Sequence, residues 1–176
     1  STHSAIIVPK PDNSNVYYIF TVDESGGPNG LQYSEVNMLL DSGNGDVTSN
    51  KNNILYSPVT EKLTAIKGTN DSEYWVISHK WQSSEFIVYK INDTGVVPSP
   101  IISDIGFYIG NSGNFESRGQ IKISPDGTKL ALVRTGGPYE AQLFDFEVST
   151  GMISNPLTLI DYDPDQQDVY GVEFSP

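Results

Sequence analysis

Cysteine is absent from this chain of 176 residues, which excludes disulfides, thiolate catalysis and zinc–sulfur sites. Positive charge is scarce: 10 Lys and Arg stand against 22 Asp and Glu, for a formal net charge of −12. Nucleic-acid backbones and anionic lipid surfaces repel such a chain, so neither is expected as a partner. No apolar run approaches the ~20 residues of a membrane span. The opening Ser1-Thr2-His3-Ser4-Ala5 lacks the charged and apolar regions of a secretory leader, as a processed or excised piece also would. No Gly-x-Ser-x-Gly elbow occurs, so a hydrolase motif is missing. What is present is a length in the single-domain range, a hydrophobic content of 37%, enough for a packed core, and 16 Gly with 11 Pro spread along the chain. That spread suits many short strands joined by turns.

Three dense apolar runs are the landmarks: Val16-Tyr17-Tyr18-Ile19-Phe20, Tyr74-Trp75-Val76-Ile77 and Leu130-Ala131-Leu132-Val133. Each is rich in aromatic or aliphatic residues and short enough for a strand. Each follows a polar turn containing Asp: Lys10-Pro11-Asp12-Asn13, Thr69-Asn70-Asp71-Ser72 and Ser124-Pro125-Asp126-Gly127. Each is followed by a second strand, Leu31 to Val36, Phe86 to Lys90 or Leu143 to Val148, where apolar and polar residues alternate more clearly. Then come a turn and a weaker strand around Ile54-Leu55-Tyr56, Ile101-Ile102 or Leu157-Thr158-Leu159. A four-strand unit recurring at roughly fifty residues reads as a β-propeller blade.

The dense runs decide between all-β architectures. A sandwich strand with one wet face alternates, whereas a strand covered on both faces reads as continuously apolar. Propeller blades are covered by neighbours on either side, so the inner segments around Tyr18, Trp75 and Leu132 are expected to be doubly shielded. The expected fold is all-β: a partial propeller of three four-stranded antiparallel blades, approximately 5–60, 61–117 and 118–168. Residues 169–176 would begin a further blade, because Gly171-Val172-Glu173-Phe174-Ser175-Pro176 matches Gln120-Ile121-Lys122-Ile123-Ser124-Pro125. Leu63 to Ile66 is read as the innermost strand of the second blade, although Ser57-Pro58 also mimics a blade start. An open ring leaves apolar blade faces uncovered. Either the chain is a piece of a longer propeller, or copies self-associate through those faces.

The block Ser124-Pro125-Asp126-Gly127-Thr128-Lys129-Leu130-Ala131 resembles the start of WD40-like blades, as found in translocation-associated periplasmic propellers and prolyl peptidases. A longer series is also similar to a family. It runs from Ser4-Ala5-Ile6-Ile7-Val8-Pro9-Lys10-Pro11 and Tyr17-Tyr18-Ile19-Phe20-Thr21 through Gly30-Leu31-Gln32-Tyr33-Ser34. It continues with Tyr74-Trp75-Val76-Ile77-Ser78-His79-Lys80-Trp81 and Phe86 to Lys90. In order, these segments resemble the WD40-like propeller region of bacterial cell-surface proteins with gliding-motility-associated C-terminal sorting domains, exported by type IX secretion. The resemblance implies a secreted or outer-surface module, usually joined to adhesion-type repeats. The sorting domain is not in this sequence, so export is implied by analogy alone.

Asp161-Tyr162-Asp163-Pro164-Asp165-Gln166-Gln167-Asp168 is the sharpest local feature. Asp161, Asp163, Asp165 and Asp168 alternate as carboxylates do in calcium loops, but the sixth position lacks Gly and the twelfth is Val172. A solvated acidic loop is the simpler reading, and calcium is the only cofactor the sequence suggests. Asp41-Ser42-Gly43-Asn44-Gly45-Asp46 reads as a hairpin turn built on Asn-Gly. His79 lacks a nucleophile on its own face, since Ser78 points the opposite way along a strand. Most of the aromatic residues fall inside strands and are expected to pack there. Tyr108, Phe115 and Tyr139 lie in looser segments, and Ile105 to Arg118 reads as a long loop where binding function would reside. Gly26-Gly27-Pro28-Asn29-Gly30 and Gly136-Gly137-Pro138 lack the Lys-Ser/Thr ending of a phosphate loop.

With no catalytic constellation in view, the leading expectation is a non-catalytic surface module for scaffolding, adhesion or recognition of a protein or glycan. The competing class is the propeller part of a secreted glycan-active enzyme or peptidase. A peptidase needs a hydrolase domain outside this sequence, and a glycan-active enzyme needs paired acids facing one pocket.

Overall fold

The computed structural model describes residues 4–70, 72–110, 113–136, 139–160 and 169–175. It holds three antiparallel sheets in chain order. The first comprises β1 (Ala5–Pro9), β2 (Val16–Val22), β3 (Leu31–Asn37), β4 (Asp46–Val47) and β5 (Asn53–Tyr56). The second comprises β6 (Val59–Lys67), β7 (Tyr74–Lys80), β8 (Ser83–Asn92), β9 (Gly95–Val96) and β10 (Ile101–Ile109). The third comprises β11 (Ile121–Ile123), β12 (Lys129–Arg134), β13 (Glu140–Glu147) and β14 (Met152–Ile160). Each sheet is a four-position meander. In the first two the outermost position is split, because β4 and β5 both pair with β3, and β9 and β10 both pair with β8.

The sheets stack face to face, and the middle one feeds two cores. On β7 and β8, Val76, Ile87, Tyr89 and Ile91 pack with Tyr18, Phe20 and Leu31 of the first sheet. Trp75, Ile77, Phe86 and Val88 turn the other way onto Leu130, Leu132, Phe144 and Phe146 of the third. Alternate residues thus serve opposite neighbours, and the strand reads as continuously apolar because neither face is wet. Trp75 ties the second core further, its Nε1 donating to the Val148 carbonyl at 2.8 Å.

Double shielding holds for the Trp75 and Leu132 strands, where Trp75–His79 and Leu130–Arg134 are buried. It fails for the Tyr18 strand. There Val16, Tyr18, Phe20 and Val22 are buried, while Tyr17 and Ile19 are only half-buried. The reason is cover: only the face of β2 that carries Tyr18, Phe20 and Val22 meets a core. On its other side Ile7, Tyr17, Ile19, Val36 and Met38 line an open apolar depression, with Ile7 67% exposed.

The inner strands β1, β6 and β11 lie side by side, with β6 contacting both others. Leu63 to Ile66 is therefore innermost in the second sheet, as its sequence implies. The blade-start turn at Ser124 forms around its aspartate: Asp126 Oδ1 accepts from the Thr128 amide at 3.0 Å and the Ser124 hydroxyl at 2.6 Å. Asp71, in the equivalent turn of the second sheet, lies outside the described residues. Residues 169–175 carry no ladder but run beside β11. The Val172 amide donates to Gln120 Oε1 at 2.9 Å, and Lys122 Nζ stands 3.1 Å from Glu173 Oε2.

A second expectation changes. Ile105 to Arg118 is not a single loop: β10 continues to Ile109 through an irregular register after Asp104, and Asn114–Ser117 forms a short 3-10 turn. The physical reason is alternation at long range. Ile109 is fully buried against the second core, and Phe107 packs at its margin, so this Gly-containing stretch has an apolar face to bury.

Candidate functional site

Charged residues collect at one end of the stack, where β6 begins, β7 and β12 end, and the chain passes from β10 to β11. Strand β6 is distorted there. Val59 pairs with Lys80 and Leu63 with Ser78, so Thr60, Glu61 and Lys62 bulge opposite the single residue His79. A bulge re-aims side chains that a regular pleat would send elsewhere. Here it sends Lys62 toward the third sheet.

Lys62 is fully buried. Its ammonium donates to three consecutive carbonyls, Glu116 at 2.8 Å, Ser117 at 2.9 Å and Arg118 at 2.5 Å. Three acceptors match the three N–H groups of an ammonium. Burial pulls its pKa down from 10.5 to about 7, against the opposing pull of Glu61 and Glu116. Glu61 Oε1 accepts from the Ser25 amide at 3.0 Å and the Ser117 hydroxyl at 3.1 Å. Glu116 Oε2 accepts from the Gly110 amide at 2.8 Å and stands 3.6 Å from Arg134 Nη1. Arg134 also donates to the Tyr108 carbonyl at 2.5 Å, pairs with Glu140, and lies over the Phe107 ring at 4.8 Å.

His79 sits inside this end of β7, fully buried, and packs edge-on against Phe86 with ring centroids 4.8 Å apart. Its Nδ1 lies 2.8 Å from the Lys80 carbonyl, which makes Nδ1 the protonated nitrogen. Burial pushes its pKa down to about 3, so the ring is neutral at physiological pH. Ser78 is engaged separately, its hydroxyl donating to the Lys62 carbonyl at 2.8 Å. The two neighbours do not form a nucleophile–base pair.

Above this buried layer lies an open depression of about 360 Å³ lined by Phe115, Arg118, Thr135, Gly136, Tyr139 and Tyr170. Two glycines let its walls approach. Gly136 has φ +91, and a Cβ there would stand 2.5 Å from Phe115 Cβ. Gly119 has φ +104, and a Cβ there would stand 2.7 Å from the Val133 carbonyl oxygen. Phe115 is 60% exposed, and the Arg118 guanidinium lies 4.5 Å from its ring centroid.

Phe115 and Tyr139, two of the three aromatics singled out by sequence, meet at this depression. Tyr108 does not line it, although its carbonyl serves Arg134. The buried set Glu61, Lys62, Glu116 and Arg134 was not foreseen. Its one local signal is the polar Thr60-Glu61-Lys62 opening a strand that continues Leu63-Thr64-Ala65-Ile66. Asp161, Asp163, Asp165 and Asp168 lie outside the described residues. Among the described residues no group of three or more His, Asp or Glu could hold a metal ion. Asp41–Gly43 forms a short 3-10 turn within the β3–β4 connection, in keeping with its reading as a turn.

No protein-family model matches the sequence, and no curated protein matches it. Solved structures similar in fold include two lactonases. One is the periplasmic gluconolactonase of Pseudomonas aeruginosa, with a TM-score of 0.53 and 13% identity over 91% of this chain. The other is a Bacteroides uniformis protein named as a 6-phosphogluconolactonase, with a TM-score of 0.50 and 14% identity over 91% of this chain. This chain is a partial propeller in fold. It spans 42% of the length of each of these propeller lactonases. At such identity the likeness concerns fold alone.

Proposed function

We propose that this chain is a non-catalytic recognition module, part of a β-propeller displayed outside a bacterial cell, that takes its ligand in the depression beside Phe115 and Arg118. The observation that carries the reading is the contrast between two layers at one end of the fold. Exposed rings and a guanidinium form the surface. The carboxylates beneath are committed to structural partners: Glu61 to Ser25 and Ser117, Glu116 to Gly110 and Arg134, and Glu140 to Arg134. A general acid and base need a proton-accepting group facing the ligand, whereas recognition needs shape, rings and a fixed charge. The surface location rests on the resemblance of the segment order to gliding-motility-associated surface proteins. Residues 169–176 are assigned as the first strand of a further blade, supported by the sequence match to 120–125 and by the Gln120 and Lys122 contacts.

A lactone- or glycan-hydrolysing role is the second reading, favoured by the two lactonases that share the fold. Incubation of the chain with gluconolactone and with an oligosaccharide panel, alongside a glycan-binding array, separates the two. Binding without turnover is expected, and turnover of any substrate overturns the recognition reading.

A further inference from the structure

We infer that the depression between Phe115, Arg118 and Tyr139 recognises a carbohydrate carrying a carboxylate, an acidic sugar of the uronic-acid type. This rests on the recognition reading above and names its ligand.

The argument starts from Arg118. In a chain with 22 acidic against 10 basic residues, cations find carboxylates readily. Lys80 pairs with Glu85, Lys90 with Glu73, Lys129 with Asp145, and Arg134 with Glu140, all in close contact. Arg118 differs. Its nearest carboxylate oxygen is Glu61 Oε1, 3.9 Å from Nε, and that oxygen already accepts from Ser25 and Ser117. Its guanidinium lies over the Phe115 ring, its two terminal nitrogens make no hydrogen bond among the described residues, and its side chain is 42% exposed at the rim of the depression. A guanidinium presents a planar fork that fits a carboxylate with two parallel hydrogen bonds.

The rings supply the second half of the site. Phe115 is exposed on a turn whose backbone Lys62 holds by three carbonyls. An exposed ring on a fixed backbone costs little further ordering when a ligand arrives. Tyr139 and Tyr170 add rings, and Thr135 adds a hydroxyl. Such a surface offers flat apolar area to the C–H face of a pyranose, with the Thr135 hydroxyl beside it. The volume of about 360 Å³ is at the small end for a ligand site and suits one or two sugar rings. The charge setting selects the anion. With Glu61 nearby and a net charge of −12, a singly charged carboxylate is repelled less than a phosphate dianion.

The test is calorimetric titration of the 176-residue chain with oligogalacturonate and with the same oligosaccharide reduced to its neutral form. The acidic chain is expected to bind about tenfold more tightly or better, the gain of a charge-assisted hydrogen bond. Arg118→Gln brings its affinity down to that of the neutral chain. Arg118→Lys, which keeps the charge without the fork, falls between. Phe115→Ala abolishes binding of both, with the melting temperature of each variant reporting that the fold is intact. Equal affinity for the acidic and neutral chains, or an unaltered preference in Arg118→Gln, overturns the acidic-sugar assignment and leaves glycan recognition standing. Tighter binding of a sulfated chain or of an acidic peptide overturns it too. Absence of binding to every glycan overturns it, and hydrolysis of any chain overturns the recognition reading beneath it.

Discussion

Lys62 ties the second sheet to the entry of the third through three hydrogen bonds. Its ammonium satisfies three carbonyls, two of them buried, so removing it leaves buried acceptors unpaired. Lys62→Met keeps the packing of the stem and is expected to destabilise the fold by about 3 kcal/mol or more, in the range for breaking a buried charged contact. Chemical denaturation of the variant measures this. The titration of Lys62 has a definite sign. Its folded pKa, about 7, lies below the ordinary 10.5, so the unfolded chain binds the extra proton between those values. Its contribution makes stability rise with pH across that window. His79 acts likewise at lower pH. Its folded pKa of about 3 lies below 6.5, so protonation of the unfolded chain weakens the fold as pH falls from 6.5 toward 3. Melting temperatures across pH should show the alkaline rise flattened in Lys62→Met and the acid slope reduced in His79→Phe.

At the scale of the element, the order of strands was legible because each dense run is bracketed by turn residues with a mechanism, as Asp126 shows by folding its carboxylate onto the Ser124 hydroxyl and the Thr128 amide. The continuous apolar pattern of β7 correctly implied cover on both sides. The same inference misjudged β2, since a composition of Tyr and Ile does not reveal whether a neighbour covers the second face of a strand. Part of the candidate site was visible as aromatic residues outside strands, Phe115 and Tyr139. The clamp beneath it was not, because the β6 bulge that aims Lys62 across to residues 116–118 depends on pairing with β7, not on any local sequence preference. These differences predict unequal tolerance. Ile77→Ala empties a fully buried position and should cost about 2–5 kcal/mol. Ile19→Ala, on the open side of β2, should cost less than half as much by the same denaturation measurement. Gly136→Ala faces both a left-handed backbone and Phe115 at 2.5 Å. It should displace that ring, and a drop in glycan affinity larger than the drop in melting temperature would show it.

The whole molecule is a stack of three sheets, and the first stands at one end of it. The first sheet offers Ile7, Tyr17, Ile19, Val36 and Met38 as a contiguous apolar surface. In the isolated chain the same surface should drive self-association at micromolar concentration despite the net charge of −12. Light scattering is expected to show particles larger than a monomer, and Ile7→Glu should return them to monomers. A monomer throughout would count against an adhesive face.

The grip of Lys62 on residues 116–118 has a mechanical meaning for such an array. Repeat folds can lose their units one at a time, each unit unzipping from its neighbour. Here the second sheet holds the entry of the third by an ammonium that has no other place to go. The third cannot peel away without breaking those three charge-assisted hydrogen bonds together. Loss of one unit should therefore drag the other with it, and hydrogen exchange should find the amides of β7 and β12 opening together rather than in turn.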